Sequence, residues 1–190
     1  MSIPLFENQQ FDKIDFSESG FPKGEYDHCT FLNCNFSGCD FSGLEFSLCN
    51  FKDCNLSMVK LLKTSLRDVQ FKGCKMLGLH FENCNEFLLA FQFEDCNLNL
   101  SSFYKLQIKK SKFKNCSFHE TDFTSCDLSA SLFDNCDFTR AVFENTNIEK
   151  TDFRNSFNYS INPENNRIKK ARFSKHGVIG LLNHLDIDIE

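Results

Sequence analysis

Cys29-Thr30-Phe31-Leu32-Asn33-Cys34-Asn35-Phe36-Ser37-Gly38-Cys39-Asp40-Phe41 repeats one pattern every five residues: a small residue, a polar one, a phenylalanine, then two further positions. Followed outward, the large apolar position recurs in sixteen consecutive units from Phe6 to Phe81 and, two residues out of phase, in thirteen more from Phe93 to Phe153. Twenty of the twenty-four phenylalanines fall on this grid, so the aromatic excess, with no Trp and three Tyr, is one architectural device. All eleven cysteines fall on the small position two residues earlier. A period of five fits neither the 3.6 of a helix nor strict alternation. Within one unit, however, the small and large residues are two apart and project to one side of a short extended segment. Short inward-facing sides joined by regular corners describe an all-β solenoid that stacks its backbone rung on rung.

The 190 residues carry 21 basic and 26 acidic side chains, a formal charge of −5 that argues against direct binding of nucleic acid. By segment the balance is −4 over 1–90, −2 over 91–155 and +1 beyond. Met1-Ser2-Ile3-Pro4-Leu5-Phe6 lacks the basic and apolar regions of a secretion signal, and no stretch is apolar enough to span a membrane; a soluble, cytoplasmic chain is expected. The cysteines read as small buried hydrophobes rather than a disulfide framework, since their number is odd. His28, His80 and His119 point outward while every cysteine points inward, which excludes a mixed zinc site on the shaft. His176 and His184 read as a solvated face. No phosphate loop, nucleophile elbow or metalloprotease helix occurs, so no enzyme, cofactor or metal is expected.

Units such as Cys39-Asp40-Phe41-Ser42-Gly43 and Cys136-Asp137-Phe138-Thr139-Arg140 resemble the repeat of pentapeptide-repeat proteins, small-(Asp/Asn)-(Leu/Phe)-x-x. The resemblance implies a right-handed quadrilateral β-helix with four units per coil, here about seven coils over residues 1–155. At roughly 4.8 Å per rung the shaft is about 34 Å long. Residues twenty apart then stack, giving Cys29/Cys49, Cys34/Cys54/Cys74 and Cys96/Cys116/Cys136 ladders beside a core that includes Phe31, Phe51, Phe71, Phe113 and Phe133.

Twelve residues separate Phe81 from Phe93 where ten would keep phase, so 85–92 is expected to hold a two-residue bulge, with Phe87 or Leu88 filling the inward place that Glu86 cannot. After Phe153 the grid fails at Asn158, and 156–190 is expected to form a capping and dimerisation segment. Within it, Ser174 is a candidate N-cap for a short helix whose Val178, Leu181, Leu182 and Leu185 make one apolar stripe. Asp186-Ile187-Asp188-Ile189-Glu190 alternates like a strand. The stripe, with Ile187, is the candidate joint of a homodimer.

The run Asn162-Pro163-Glu164-Asn165-Asn166-Arg167-Ile168 and the helix ending Gly180-Leu181-Leu182-Asn183-His184-Leu185-Asp186-Ile187 resemble the C-terminal module of the microcin B17 immunity protein and its relatives. The overall layout is similar to that of the Qnr and MfpA proteins. This resemblance implies a rod-shaped homodimer that imitates duplex DNA, binds DNA gyrase or topoisomerase IV and shields it from poisons such as quinolones or microcin. The alternative is a repeat scaffold for an unrelated protein partner. Glu25, Asp27 and Glu45 are the acidic candidates for a partner-facing surface, with Asp40 and Asp122 on a neighbouring side. Met58, Leu62 and Leu77 are candidates for a small apolar contact. Lys105, Lys109, Lys110, Lys112 and Lys114 form a basic patch.

Overall fold

Four sets of parallel partners, each pair twenty residues apart, give the coil four sides: Phe6 with Tyr26, Phe11 with Phe31, Asp15 with Asn35 and Asp40 with Lys60. The computed structural model describes residues 3–185, 187 and 188. On the first side, β1 (Leu5–Glu7), β3 (Glu25–Asp27), β5 (Glu45–Ser47) and β7 (Ser65–Arg67) make a four-stranded sheet. On the second, β2 (Gln10–Asp12), β4 (Thr30–Leu32), β6 (Asn50–Lys52), β8 (Val69–Lys72), β9 (Phe91–Glu94), β10 (Lys112–Lys114) and β11 (Leu132–Asp134) make a seven-stranded one. The other two sides are held by isolated parallel bridges. The only helical pieces among the described residues are Phe16–Ser19, Phe81–Asn83 and Gly177–Leu181.

Corners are turned by a residue in the left-handed region, which costs a non-glycine residue about 1–2 kcal/mol. The fold compensates through stacking: the corner N–H donates to a carbonyl of the next coil, His28 to Ser47 at 3.0 Å and Asn33 to Lys52 at 2.9 Å. One corner carries Asn8, His28, Leu48, Asp68, Leu88, Lys110, Ala130, Lys150 and Lys170, one per coil, with φ between 52 and 61°. The corner following the third side carries Gly38, Met58, Gly78, Leu100, Glu120 and Arg140.

Inside, Phe11, Phe31, Phe51, Phe71, Phe93, Phe113, Phe133, Phe153 and Phe173 form one unbroken column of rings, centroids 4.6–5.6 Å apart and planes within 18°. The small position does more than save space. Cys54 Sγ donates to the Phe31 carbonyl at 3.5 Å and Cys74 Sγ to that of Phe51 at 3.4 Å. Thr64, Thr121, Thr146 and Thr151 hydroxyls do the same at 2.8–3.0 Å. The residue type is therefore chosen for a donor as well as for volume. All eleven cysteines are buried free thiols, and burial pushes those of Cys49 and Cys84 up to about 12. The two three-residue ladders expected from the spacing are one: Cys96 Sγ reaches the Phe71 carbonyl at 3.4 Å as Cys74 reaches that of Phe51.

The bulge corrects one expectation. Phe87 and Leu88 are exposed, and Leu89 packs against the core, followed by buried Phe91. Residues 85–89 keep ordinary corner geometry, with Asn85 Oδ1 accepting from the Phe87 N–H at 3.0 Å and the Leu89 N–H bonding the Glu86 carbonyl at 3.3 Å. This geometry places Glu86 where a large apolar residue belongs, and an unpaired carboxylate is too costly to bury. The rung stands off the first sheet, which ends at β7, and bridging on that side resumes at Gln107 and Asp127. The second sheet passes unbroken through Phe71 and Phe93.

The C-terminal end corrects another. Winding does not stop at 155: Arg167 bridges Asn147, Arg172 bridges Asp152, and Phe173 stacks on Phe153 at 5.6 Å. The grid slips by one, so that Tyr159 and Ile161 are buried instead of Asn158. Asn166 fills a small position, its Nδ2 donating to the Phe143 carbonyl at 2.9 Å. Ser174 Oγ accepts from the Gly177 N–H at 2.9 Å, but the turn that follows has His176 as its N-cap, without a side-chain hydrogen bond. That turn is the five-residue 3-10 helix Gly177–Leu181, pressed so closely on Tyr159 that Gly180 has no room for a Cβ. In this geometry residues three apart eclipse and the four-apart spacing of an α-helical stripe is lost. Leu181 packs on the core and Leu182 is half-buried, while Val178, Leu185 and Ile187 face outward with Ile179. The stripe is thus divided. Of the strand expected at 186–190, Asp186, Ile189 and Glu190 lie outside the described residues, and Ile187 and Asp188 are not in a strand.

Candidate partner-binding surface

The first sheet gathers the acidic candidates. Glu25 pairs in register with Glu45, and Glu7 with Asp27, so four carboxylates occupy three successive rungs. Like charges at one-rung spacing repel. Arg67, in register with Ser47, relieves this by meeting Glu45 Oε2 through Nη1 at 3.1 Å. His28 Nδ1 lies 3.1 Å from Asp27 Oδ2.

Asp40 and Asp122 share the fourth side but are not neighbours. Asp40 bridges Lys60; further along, His80 bridges Ser102 and Ser102 bridges Asp122, so four rungs, about 19 Å, separate the two carboxylates. Hydrogen bonds from Ser42, with Lys23 nearby, hold the Asp40 carboxyl below its ordinary range. Asp122 Oδ1 accepts from the Thr124 N–H at 2.8 Å.

Met58 and Leu77 are brought together across adjacent coils by a 2.9 Å backbone bond, and Leu62 follows on the next side. Met58 and Leu62 are exposed, Leu77 half-buried. Sequence reasoning missed that Leu100, also exposed, occupies the same corner as Met58 with only Gly78 between them. The twenty-residue spacing, lengthened by two across the bulge, is the signal that would have found it.

The basic patch is partly neutralised. Lys109 pairs with Asp127 at 3.3 Å, and Glu94 lies between Lys72 at 3.2 Å and Lys114 at 3.1 Å. These two lysines, Lys114 foremost, hold the Glu94 carboxyl below its usual range. Two further histidines each meet one carboxylate, His80 with Glu82 at 2.9 Å and His119 with Asp137 at 2.7 Å. No three metal-ligating side chains converge among the described residues, and no helix is long and apolar enough to cross a membrane.

A family model described as the pentapeptide repeat region matches residues 24–92, 44–122 and 88–173. The chain belongs to the pentapeptide-repeat family. Among solved structures, a trypsin-treated point variant of QnrB1, a plasmid-mediated fluoroquinolone resistance protein, superposes with a TM-score of 0.77 over 98% of this chain and 92% of that one, at 19% identity. A second trypsin-treated variant of QnrB1 gives 0.63 at 20% identity, covering 98% and 97%. HetL, a pentapeptide-repeat protein involved in heterocyst differentiation regulation from Nostoc sp. strain PCC 7120, gives 0.49 at 10% identity, covering 90% and 86%. No curated protein matches the sequence. At such identities the pentapeptide-repeat fold is what is shared.

Proposed function

We propose that this pentapeptide-repeat protein is a non-enzymatic mimic of duplex DNA that occupies the DNA-binding surface of DNA gyrase or topoisomerase IV and protects it from poisons. The observation that carries this reading is the stacked carboxylates of β1, β3 and β5. Glu7, Glu25, Asp27 and Glu45 place four negative charges over two coil steps, about 10 Å of shaft. Spread over three rungs of about 4.8 Å, that is about one charge per 3.6 Å, with Arg67 pairing one of them, against about one per 1.7 Å along B-DNA. The likeness, over 98% of this chain, to a trypsin-treated variant of a fluoroquinolone resistance protein supports the same reading. A charged stripe of this kind gives orientation and a fast on-rate more than raw affinity.

The test is gyrase supercoiling in the presence of a quinolone. Added protein is expected to restore supercoiled product across a concentration series, and the triple variant Glu25→Lys, Asp27→Lys, Glu45→Lys to lose at least tenfold in potency while keeping its melting curve. Neither protection nor inhibition by the parent protein, on gyrase or on topoisomerase IV, overturns the proposal and leaves the scaffold with an unrelated protein partner.

A further inference from the structure

The corner that joins the two sheets has nine positions, and the fifth is the bulge. There Phe87, the most exposed large apolar side chain among the described residues at 67%, stands beside Leu88 at 62%. Counting away from this midpoint in both directions matches each rung with one of complementary character. Asp68 matches Lys110, one rung out. Leu48 matches Ala130, and the Asp27 rung matches the Lys150 rung. Asn8, with Glu7 before it, matches Lys170, with Lys169 before it.

The charges along this row separate cleanly. Arg67, Lys109 and Glu149 are already held by Glu45, Asp127 and Arg167. Of the remaining Asp, Glu and Lys, Glu7, Asp27 and Asp68 precede the midpoint, and Lys110, Lys150, Lys169 and Lys170 follow it. A row that is acidic before an apolar centre and basic after it complements its own reversed copy, the requirement of an isologous two-fold contact.

We propose that two copies of this chain pair side by side and antiparallel along this corner, with Phe87 and Leu88 of each meeting at the two-fold axis. The contact runs the eight coil steps of the row, about 38 Å. A contact along one corner is narrow, which places it with weak, transient interfaces rather than with those of the standard size of roughly 800 Å² per partner. Because its ends are held by exposed charges, it weakens as salt shortens the screening length from about 10 Å at 0.1 M. The pairing needs no topoisomerase, but it covers Glu7 and Asp27 of the acidic stripe and so competes with a partner for them; it also differs from a joint through the C-terminal apolar residues.

Sedimentation equilibrium of the full chain at 50 mM and 1 M NaCl, with small-angle scattering at 50 mM, tests it. A dimer is expected at low salt, with a maximum dimension close to that of one shaft and a Kd at least tenfold weaker at high salt. Lys110→Glu with Lys170→Glu, both at exposed positions, is expected to give a folded monomer. Mixing that variant with Glu7→Lys, Asp68→Lys is expected to restore a dimer. Phe87→Ser with Leu88→Ser is expected to weaken the parent dimer at least tenfold. A monomer under all conditions, a dimer of twice the shaft length, or failure of the mixed charge-swapped pair to associate overturns the proposal.

Discussion

The two sheeted sides of the shaft share the same coils but differ in continuity. The second side keeps nine stacked rings from Phe11 to Phe173 and an unbroken seven-stranded ladder. The first side starts with Phe6, Tyr26 and Phe46, passes to Leu66, and loses its ladder at the next rung, where Glu86 stands in the large position. On the first side the rings give out one rung before the ladder does, and on the second the rings of Phe153 and Phe173 continue past the last strand. Parallel rings near 5 Å apart need the rung spacing that the ladder supplies, and each buried ring fixes the backbone that bears it. The insertion is accommodated on the side with the weaker core.

The sharpest way to break this comparison is to remove a ring from the continuous column. Phe113→Ala is expected to cost about 3–5 kcal/mol in urea unfolding, against about 2–3 kcal/mol for Leu66→Ala beside the break. Equal costs would show that the column adds nothing beyond apolar volume. Glu86→Leu tests the other side: an apolar residue at the interrupted position is expected to stabilise the fold by about 1–2 kcal/mol, and a loss of stability would show that the rung stands off for another reason.

The smallest effect concerns the charges that line the continuous side. Hydrogen bonds from Arg154 hold the Asp152 carboxyl below its ordinary value, with Arg172 also close. A carboxylate with a depressed folded-state pKa contributes stability that is full above its unfolded value and is lost as pH falls through the folded value. The contribution of this partly exposed pair is a few tenths to about 1 kcal/mol. Thermal melts from pH 7 down to pH 3 are therefore expected to fall less steeply for Asp152→Asn than for the parent, and identical slopes would remove the pair from the account.

Much of this was legible because the period sets both the inward positions and the stacking partner. Phe31, Phe51, Phe71, Phe113 and Phe133 are buried on the expected column, and Cys96, Cys116 and Cys136 are buried at the small position. At the bulge, the spacing located two extra residues but not which side chain turns in. That choice depended on the Asn85 turn, which aims Phe87 and Leu88 out and Leu89 in. Near the end, Asn158 hid a slip of one residue, since only the three-dimensional winding shows that Tyr159, Ile161 and Asn166 take over the inward places. The surface was least legible. Glu25 and Glu45 are neighbours because they stand twenty residues apart, whereas Asp40 and Asp122 share a side at a distance that no local window reveals.

The insertion before Phe93 has a consequence for how such chains change length. Side chains along an extended segment alternate with a period of two, so two extra residues return Phe93 to the inside opposite Phe71. A single extra residue at the same place would turn every later phenylalanine outward until the next correction, and five would add a whole side. The shaft therefore has a reading frame of its own, written in geometry rather than codons. Descendants of this gene that keep a folded product are expected to differ locally by even numbers of residues and otherwise by complete coils.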